Sequence, residues 1–153
     1  MKKNYIYLTI LLIATVIVTI LLANLYTKET IKTSYSYNNL NKITSNEFEE
    51  YMMEHTEAII YIADKESLSN NKLEKKFIKK LEKLNLLENT IYIDKNEITT
   101  EFQKLLKDDY SYEYNEKSLP TIIVVSDAEI IQVSKIEKDV NIDTLIDYEV
   151  FRW

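Results

Sequence analysis

The sequence predicts an α/β domain with a four-stranded mixed sheet and helices on both faces, preceded by one membrane-spanning helix. Short apolar runs rich in β-branched residues alternate with longer segments of helical periodicity, which is typical of βαβ units. The last two apolar runs are separated by only three residues, which favours an antiparallel hairpin. The membrane helix is predicted by an uncharged apolar stretch near the N-terminus, residues 5–26.

Residues 1–27 are interpreted as an uncleaved signal anchor. Their apolar stretch is long enough to cross a hydrocarbon core of ~30 Å as a helix, and Lys2 and Lys3 precede it. We therefore expect a single-pass protein of the cell membrane with its C-terminal part outside the cytoplasm. A cleaved signal peptide is the alternative, although it would have a shorter apolar core and a better cleavage site than this chain offers. Residues 28–42 are polar without apolar periodicity, so they are interpreted as a tether.

Composition excludes several classes of function. The 153 residues include 25 acidic and 19 basic side chains, and the part beyond the anchor is strongly acidic. An acidic domain argues against a nucleic-acid partner and fits a solvated domain near an anionic membrane surface. The chain has no cysteine and one histidine, His55, which excludes disulfides, thiolate catalysis and metal sites built on several Cys or His ligands. We expect no metal and no cofactor.

Four strands and four helices are predicted along the remaining chain. The first helix is indicated by a capping-box pattern, Thr44 followed by Glu47, and the first β-α-β unit requires a right-handed crossover. The predicted strands are 58–63, 90–95, 121–125 and 129–133, and the predicted helices are 44–55, 70–89, 97–108 and 141–151.

Pro120, the only proline in a chain without glycine, stands immediately before the third predicted strand. It has no N–H to give to a strand ladder, so it cannot be an ordinary central-strand residue. It is either the first residue of a strand or a cis-proline that holds a tight turn.

The order of these segments resembles a thioredoxin-like domain over about residues 43–151. The resemblance rests on AIIYIADKES, IYIDKNE and SLPTIIVVSDAEIIQV, at residues 58–67, 91–97 and 118–133. It is greatest to the membrane-anchored or secreted bacterial branch that includes bacteriocin-transport accessory proteins. The resemblance implies a domain over 43–153 with a cis Leu119–Pro120 bond. That bond would face the start of the active-site helix and leave nearby backbone groups free to pair with an extended peptide.

The redox motif of that family, Cys-x-x-Cys, has no counterpart here. Its positions fall on Ser67, Leu68, Ser69 and Asn70, or one residue earlier. Thiol–disulfide exchange needs a thiolate, so oxidoreductase activity of that kind is excluded. Ser67 or Ser69 is expected to cap the long helix, and the alternative is a helix N-terminus that binds a carboxylate or phosphate. A serine nucleophile is disfavoured because His55, the only histidine, ends an earlier helix.

Two surface features have a structural and a functional interpretation. The lysines of the long helix are interpreted as its solvated face, or alternatively as a contact with anionic wall polymer or lipid headgroups. Tyr110, Tyr112 and Tyr114 alternate just before the proline. They either pack on the end of the sheet or form an aromatic rim for a peptide-binding groove with Leu119, Pro120 and Thr121.

The function expected from the sequence is a non-enzymatic binding or assembly module, tethered to the membrane, for a protein or peptide partner in the cell envelope. One alternative is an enzyme of non-thiol chemistry on the same scaffold, and another is a structural subunit of a membrane complex. Convergent ionisable groups near residues 64–70 would favour the enzyme, whereas a dry or aromatic-rimmed groove would favour the binding module.

Overall fold

The computed structural model describes residues 2–30, 33–127 and 129–136. The chain divides into two compact units, the first ending at Thr33 and the second beginning at Ser34. The first unit contains helix α1, Lys2–Thr30. Its Tyr7–Tyr26 stretch is long and apolar enough to cross a membrane, a property that an N-terminal signal sequence shares.

The threonines of α1 do not interrupt its apolar character. Thr15 donates its hydroxyl to the Leu11 carbonyl at 2.9 Å, and Thr19 donates to the Thr15 carbonyl at 2.8 Å. A hydroxyl that bonds to its own helix needs no water, so these side chains are compatible with a lipid environment.

The second unit is built on a five-stranded sheet in the order β1-β3-β2-β4-β5. Strands β1, β3 and β2 run parallel, whereas β4 is antiparallel to both β2 and β5. The strands are β1 Asn41–Lys42, β2 Glu57–Ala63, β3 Thr90–Asp94, β4 Thr121–Ser126 and β5 Glu129–Lys135. The four predicted strands are confirmed, and the short edge strand β1 makes five strands instead of four.

Within the described residues of the second unit, four helices pack against this sheet. They are α2 Tyr35–Asn39, α3 Phe48–Glu54, α4 Asn71–Lys83 and α5 Thr100–Asp108, with 3₁₀ turns at Lys95–Glu97 and Glu116–Ser118. The predicted C-terminal helix, 141–151, lies outside the described residues.

Residues 34–42 are not a tether, because they form α2 and β1. Ser34 and Ser36 are fully buried and Leu40 joins the core. The Ser34 hydroxyl accepts the Tyr37 N–H at 3.2 Å, which begins α2. The segment lacks apolar periodicity because it is held in place largely by hydrogen bonds from serine and backbone groups.

The core lies on both faces of the sheet, as the continuous apolar runs predict. One face packs against α2 and α4, with the Tyr61 ring in contact with the rings of Phe77 and Tyr92. The other face packs against α3 and α5, where Phe48 and Phe102 meet edge to face at 5.1 Å between ring centroids. All seven residues of β2 and all five of β3 are buried.

Helix α4 ends earlier than predicted, at Lys83 instead of residue 89. The Leu86 N–H donates to the Leu81 carbonyl at 2.9 Å and the Asn85 N–H to the Glu82 carbonyl at 3.2 Å, which together form a Schellman motif. Asn85 takes the left-handed position with φ 57°. In a chain without glycine, asparagine is one of the residues that tolerate this conformation best.

Candidate functional site

A cavity of about 200 Å³ lies at one edge of the sheet. It is lined by the ends or starts of β2, β3, β4 and α4, and the lining residues are Ala63, Asp64, Ser67, Glu74, Lys95, Glu116, Leu119 and Pro120. Asp64 follows β2 and Lys95 follows β3. Because these strands are parallel, the residues that follow them meet at one edge of the sheet. Antiparallel β4 begins at that same edge, which brings Pro120 to the cavity.

The Leu119–Pro120 peptide bond is cis, as the resemblance implies. However, two backbone groups expected to be free for a peptide are already bonded within the chain. The Leu119 N–H donates to the Glu116 carbonyl at 3.3 Å, and the Pro120 carbonyl accepts the Ile136 N–H at 2.9 Å. Thr121 is a buried strand residue that pairs with Ile62, and its hydroxyl donates to the Ser118 carbonyl at 2.9 Å.

Of the four residues at the expected motif positions, only Ser67 lines this cavity. Its hydroxyl lies 3.1 Å from that of Ser69, and its N–H donates to the Asp64 carbonyl. The predicted serine cap of α4 is wrong, because the N-cap is Asn70 and its side chain makes no capping bond. The two serine hydroxyls pair with each other instead. Leu68 is exposed, and Ser69 and Asn70 border a separate cavity described below.

Lys95 forms salt bridges with two carboxylates of the cavity lining. Its ammonium lies 3.0 Å from the Asp64 carboxylate and 3.5 Å from that of Glu116. The pKa of Asp64 is lowered, first because the Glu66 N–H donates to its carboxylate and then because of Lys95. The pKa of Lys95 is raised, mainly by its hydrogen bond to Asp64. Both groups are therefore held in their charged forms at neutral pH.

A second ion pair lies beside the first. Lys65 approaches Asp94 to 3.2 Å, and the Asp94 side chain is only 2% exposed. Asp94 also accepts the Asn96 N–H at 3.0 Å. The pKa of Lys65 is raised by its hydrogen bond to Asp94. The two loops that follow β2 and β3 are thus connected by two salt bridges, Lys65–Asp94 and Lys95–Asp64.

Glu74 is the buried wall of the cavity, with 1% of its surface exposed. Its carboxylate accepts the Ser36 N–H at 2.9 Å and the Tyr61 hydroxyl at 2.8 Å. The pKa of Tyr61 is raised well above its usual range by burial and by the Glu74 charge. Sequence reasoning missed Glu74, although its signal is present: it stands three, four and seven residues before Phe77, Ile78 and Leu81, within the buried stripe of α4.

The predicted aromatic rim does not border the cavity. Tyr110, Tyr112 and Tyr114 are half-buried against the α3 and α5 side of the core. Tyr110 meets Phe48 edge to face at 5.8 Å between centroids, and burial raises the pKa of Tyr110 and of Tyr114. These tyrosines therefore pack on the core, as one of the two interpretations predicts. The cavity lining is charged instead of aromatic.

Four ionisable groups converge on the cavity, which is the arrangement expected to favour an enzyme. For Asp64 the pKa is lowered and for Lys95 it is raised, so both shifts lead away from the neutral pH at which a general acid or base works best. Among the described residues, the Ser67 hydroxyl has the Ser69 hydroxyl as its partner, at 3.1 Å. His55 ends α3, where its ring stacks on Tyr51 at 4.2 Å between centroids and its Nδ1 lies 3.0 Å from the Tyr51 carbonyl. The arrangement can hold charged groups through Asp64, Lys95 and Glu116.

Comparison with known proteins gave structural matches only. No protein-family model and no curated protein match the sequence. A solved protein with a thioredoxin fold, described as an oxidoreductase, is 13% identical with a TM-score of 0.48, over 72% of this chain and 94% of its own. Oxidised mitochondrial thioredoxin 3 from Saccharomyces cerevisiae is 17% identical with a TM-score of 0.46, over 65% of this chain and 85% of its own.

The topology defines the fold class. A parallel β-α-β unit, an adjoining antiparallel hairpin and a cis-proline at the start of β4 make a thioredoxin-like domain. The predicted fold class is confirmed, and the absence of cysteine agrees with a domain that lacks the redox motif. Similarity to the branch of bacteriocin-transport accessory proteins stays a prediction.

Proposed function

We propose that this protein is a membrane-tethered binding module that acts without catalysis. Its cavity would hold a segment of a polypeptide partner in the cell envelope. The observation that carries the proposal is the cavity between Asp64, Lys95 and Pro120, where the Lys95 ammonium lies 3.0 Å from the Asp64 carboxylate and 3.5 Å from that of Glu116.

The charges of the cavity indicate what kind of segment would fit. Its lining includes Asp64, Glu74 and Glu116 but only one basic residue, Lys95. An excess of carboxylates favours a partner segment with a basic side chain. Such a side chain would replace Lys95 at Asp64 or at Glu116, so the exchange would leave neither of these two carboxylates without a counter-charge.

The tether in this proposal is helix α1. Its apolar length, the two lysines before it and the absence of charge between residues 5 and 26 support an anchor with the thioredoxin-like domain outside the cytoplasm. An anchored domain searches for its partner near the membrane surface, which raises the effective concentration of the pair.

A second candidate function, a non-thiol enzyme, is favoured by one observation, the convergence of four ionisable groups on the cavity. It would require one of those groups to exchange protons near neutral pH when a substrate is bound. An activity with a bell-shaped pH profile that Asp64→Asn abolishes would support this enzyme over the binding module.

Site-specific photo-cross-linking in the native envelope tests the binding proposal. A photoreactive residue at Ser67 or Glu116 should capture one polypeptide partner, whereas the same residue at the exposed Gln103 of α5 should not. Removing the cavity charge with Asp64→Asn should reduce capture at Glu116 about tenfold, because a charge-assisted bond contributes about 1.5–3 kcal/mol. Equal capture at Gln103, or capture by the anchor helix alone, would show that the cavity does not bind the partner.

A further inference from the structure

Helix α4 concentrates positive charge in an otherwise acidic domain. It contains six lysines and two glutamates, and Glu74 is buried. The rest of the chain from residue 34 to 136 has seven lysines and 17 acidic residues. Helix α4 is therefore strongly basic, although the domain as a whole has a net negative charge.

The exposed lysines of α4 lie along one side of the helix. We call them the basic face, and its members are Lys72, Lys75, Lys76, Lys79 and Lys83. At 100° per residue they fall within an arc of about 100°, opposite the stripe that contains Glu74, Phe77, Ile78 and Leu81. At 1.5 Å per residue the basic face is about 17 Å long. A second cavity, of about 290 Å³, opens at its N-terminal end beside Lys72 and Lys76.

Helix α4 is hydrogen-bonded to the first residues of the domain. Asn71 accepts the Tyr35 N–H at 2.8 Å and Glu74 accepts the Ser36 N–H at 2.9 Å, while the Lys75 ammonium lies 5.9 Å from the centre of the Tyr35 ring. Ser34 follows Tyr26, the end of the apolar stretch, by eight residues. Eight residues span at most about 29 Å when fully extended. A membrane crossed by α1 is therefore within reach of the basic face.

We propose that the basic face lies against the anionic lipid headgroups of the membrane that α1 crosses. The inference rests on the membrane anchor of the proposed function, and it adds an orientation for the domain and a lipid class that it contacts. Two electrostatic effects act in the same direction, since the lysines are attracted to an anionic surface while the acidic remainder of the domain is repelled by it. The short connection keeps the lysines close to the surface, so attraction that would be weak for a free domain is sufficient.

The test uses the full chain reconstituted in lipid nanodiscs. Because the chain has no cysteine, Glu82→Cys gives a single labelling site on exposed α4, and Glu113→Cys gives one in the exposed loop before β4. A donor fluorophore at each site is combined with acceptor-labelled lipid in phosphatidylcholine discs, with or without 30% phosphatidylglycerol. Energy transfer from position 82 should rise with phosphatidylglycerol, and transfer from position 113 should not. The rise should disappear in 1 M NaCl, where the Debye length is about 3 Å.

Matched charge reversals separate this effect from overall charge. Lys72→Glu with Lys76→Glu and Lys79→Glu should abolish the response to phosphatidylglycerol, and Lys104→Glu with Lys107→Glu and Lys117→Glu, which changes the net charge equally at exposed sites, should keep it. If the first variant unfolds, glutamine at the same three positions should still reduce the rise by at least half. No response in the unmodified chain, or equal loss in both variants, overturns the inference.

The outcomes also distinguish this inference from the proposed function. Failure of the chain to float with phosphatidylcholine vesicles overturns the anchor and the lipid contact together. Stable flotation without a phosphatidylglycerol response overturns the lipid contact alone. A lipid response with no partner cross-linked from Ser67 or Glu116 supports the lipid contact and contradicts the binding cavity.

Discussion

At the residue scale, Glu74 joins the first helix of the domain to the cavity. One carboxylate oxygen accepts a backbone N–H from α2 and the other accepts a hydroxyl from the central strand β2. A buried carboxylate is tolerated when its oxygens are hydrogen-bonded, and both are. Glu74 therefore fixes α2, α4 and β2 relative to one another.

Replacing Glu74 with leucine should lower the free energy of unfolding by about 2–6 kcal/mol, because two buried donors lose their acceptor and each costs about 1–3 kcal/mol. Tyr61→Phe removes one donor to the buried Glu74 carboxylate and should lower the free energy of unfolding by about 1.5–3 kcal/mol. Urea unfolding of the full chain in detergent measures both. Exposed Lys76→Leu on the same helix is the matched control, and an equal effect at Lys76 would contradict the role given to Glu74.

The salt bridge between Asp64 and Lys95 stabilises the fold over a defined range of pH. The folded pKa of Asp64 is lowered, so its stabilisation is present above the unfolded value near 3.9 and is lost as pH falls through the folded value. The folded pKa of Lys95 is raised, so its stabilisation is present below about 10.4 and is lost as pH rises through the folded value. Asp64→Asn should thus be less stable than the unmodified chain at pH 7, with the difference vanishing towards pH 2. Urea midpoints measured from pH 2 to 7 test this, and a constant difference would contradict it.

At the scale of elements, the strands were predictable because each is a continuous apolar run, and a strand buried on both faces admits few polar residues. Helix α2 and strand β1 were not predictable from periodicity, since Ser34 and Ser36 are buried through hydrogen bonds that amphipathic patterns do not record. The capping box formed only in part: the Glu47 carboxylate accepts the Thr44 N–H at 2.7 Å, but the helix itself begins at Phe48.

The candidate site was predictable in position but not in content. Ser67, Leu119 and Pro120 do line the cavity, because strand order determines which loops meet. The sequence did not predict Lys95 and Glu116 as site residues, because their contact depends on side-chain geometry between elements that are distant in sequence. One interpretation placed Tyr110, Tyr112 and Tyr114 at the rim of the groove, because the alternating spacing of these tyrosines does not show which side of their loop packs on the core.

The C-terminal end of α4 provides a test at this scale. Asn85 is left-handed, so Asn85→Gly should raise the free energy of unfolding by up to about 1 kcal/mol by relieving side-chain crowding. Asn85→Val should lower it by about 1–2 kcal/mol, since a β-branched residue is least tolerated at positive φ. Thermal unfolding of both variants gives the comparison. Identical stability of the two would contradict the Schellman assignment.

At the scale of the whole molecule, the proposed function assigns membrane anchoring to the apolar helix α1 and partner binding to the acidic thioredoxin-like domain. The proposed topology predicts that protease added to intact protoplasts removes the domain and leaves the N-terminal tail protected. An epitope at each end of the chain reports the two fates by immunoblotting. Detergent-permeabilised cells, in which both epitopes should be lost, are the control, and full protection of the domain would contradict the topology.

The hydrogen bonds at the start of the domain also determine how it would respond to mechanical load. Tension on the chain before Ser34 reaches three backbone donors in succession, and their acceptors are the Lys65 carbonyl, the Asn71 amide and the Glu74 carboxylate. Lys65 lies in the loop after β2, and Asn71 and Glu74 belong to α4, with Glu74 also lining the cavity. If the residues before Ser34 anchor the domain as proposed, we expect a pull on them to load the loop after β2 and helix α4 before it loads the strands of the sheet. Both of these segments contribute residues to the cavity lining.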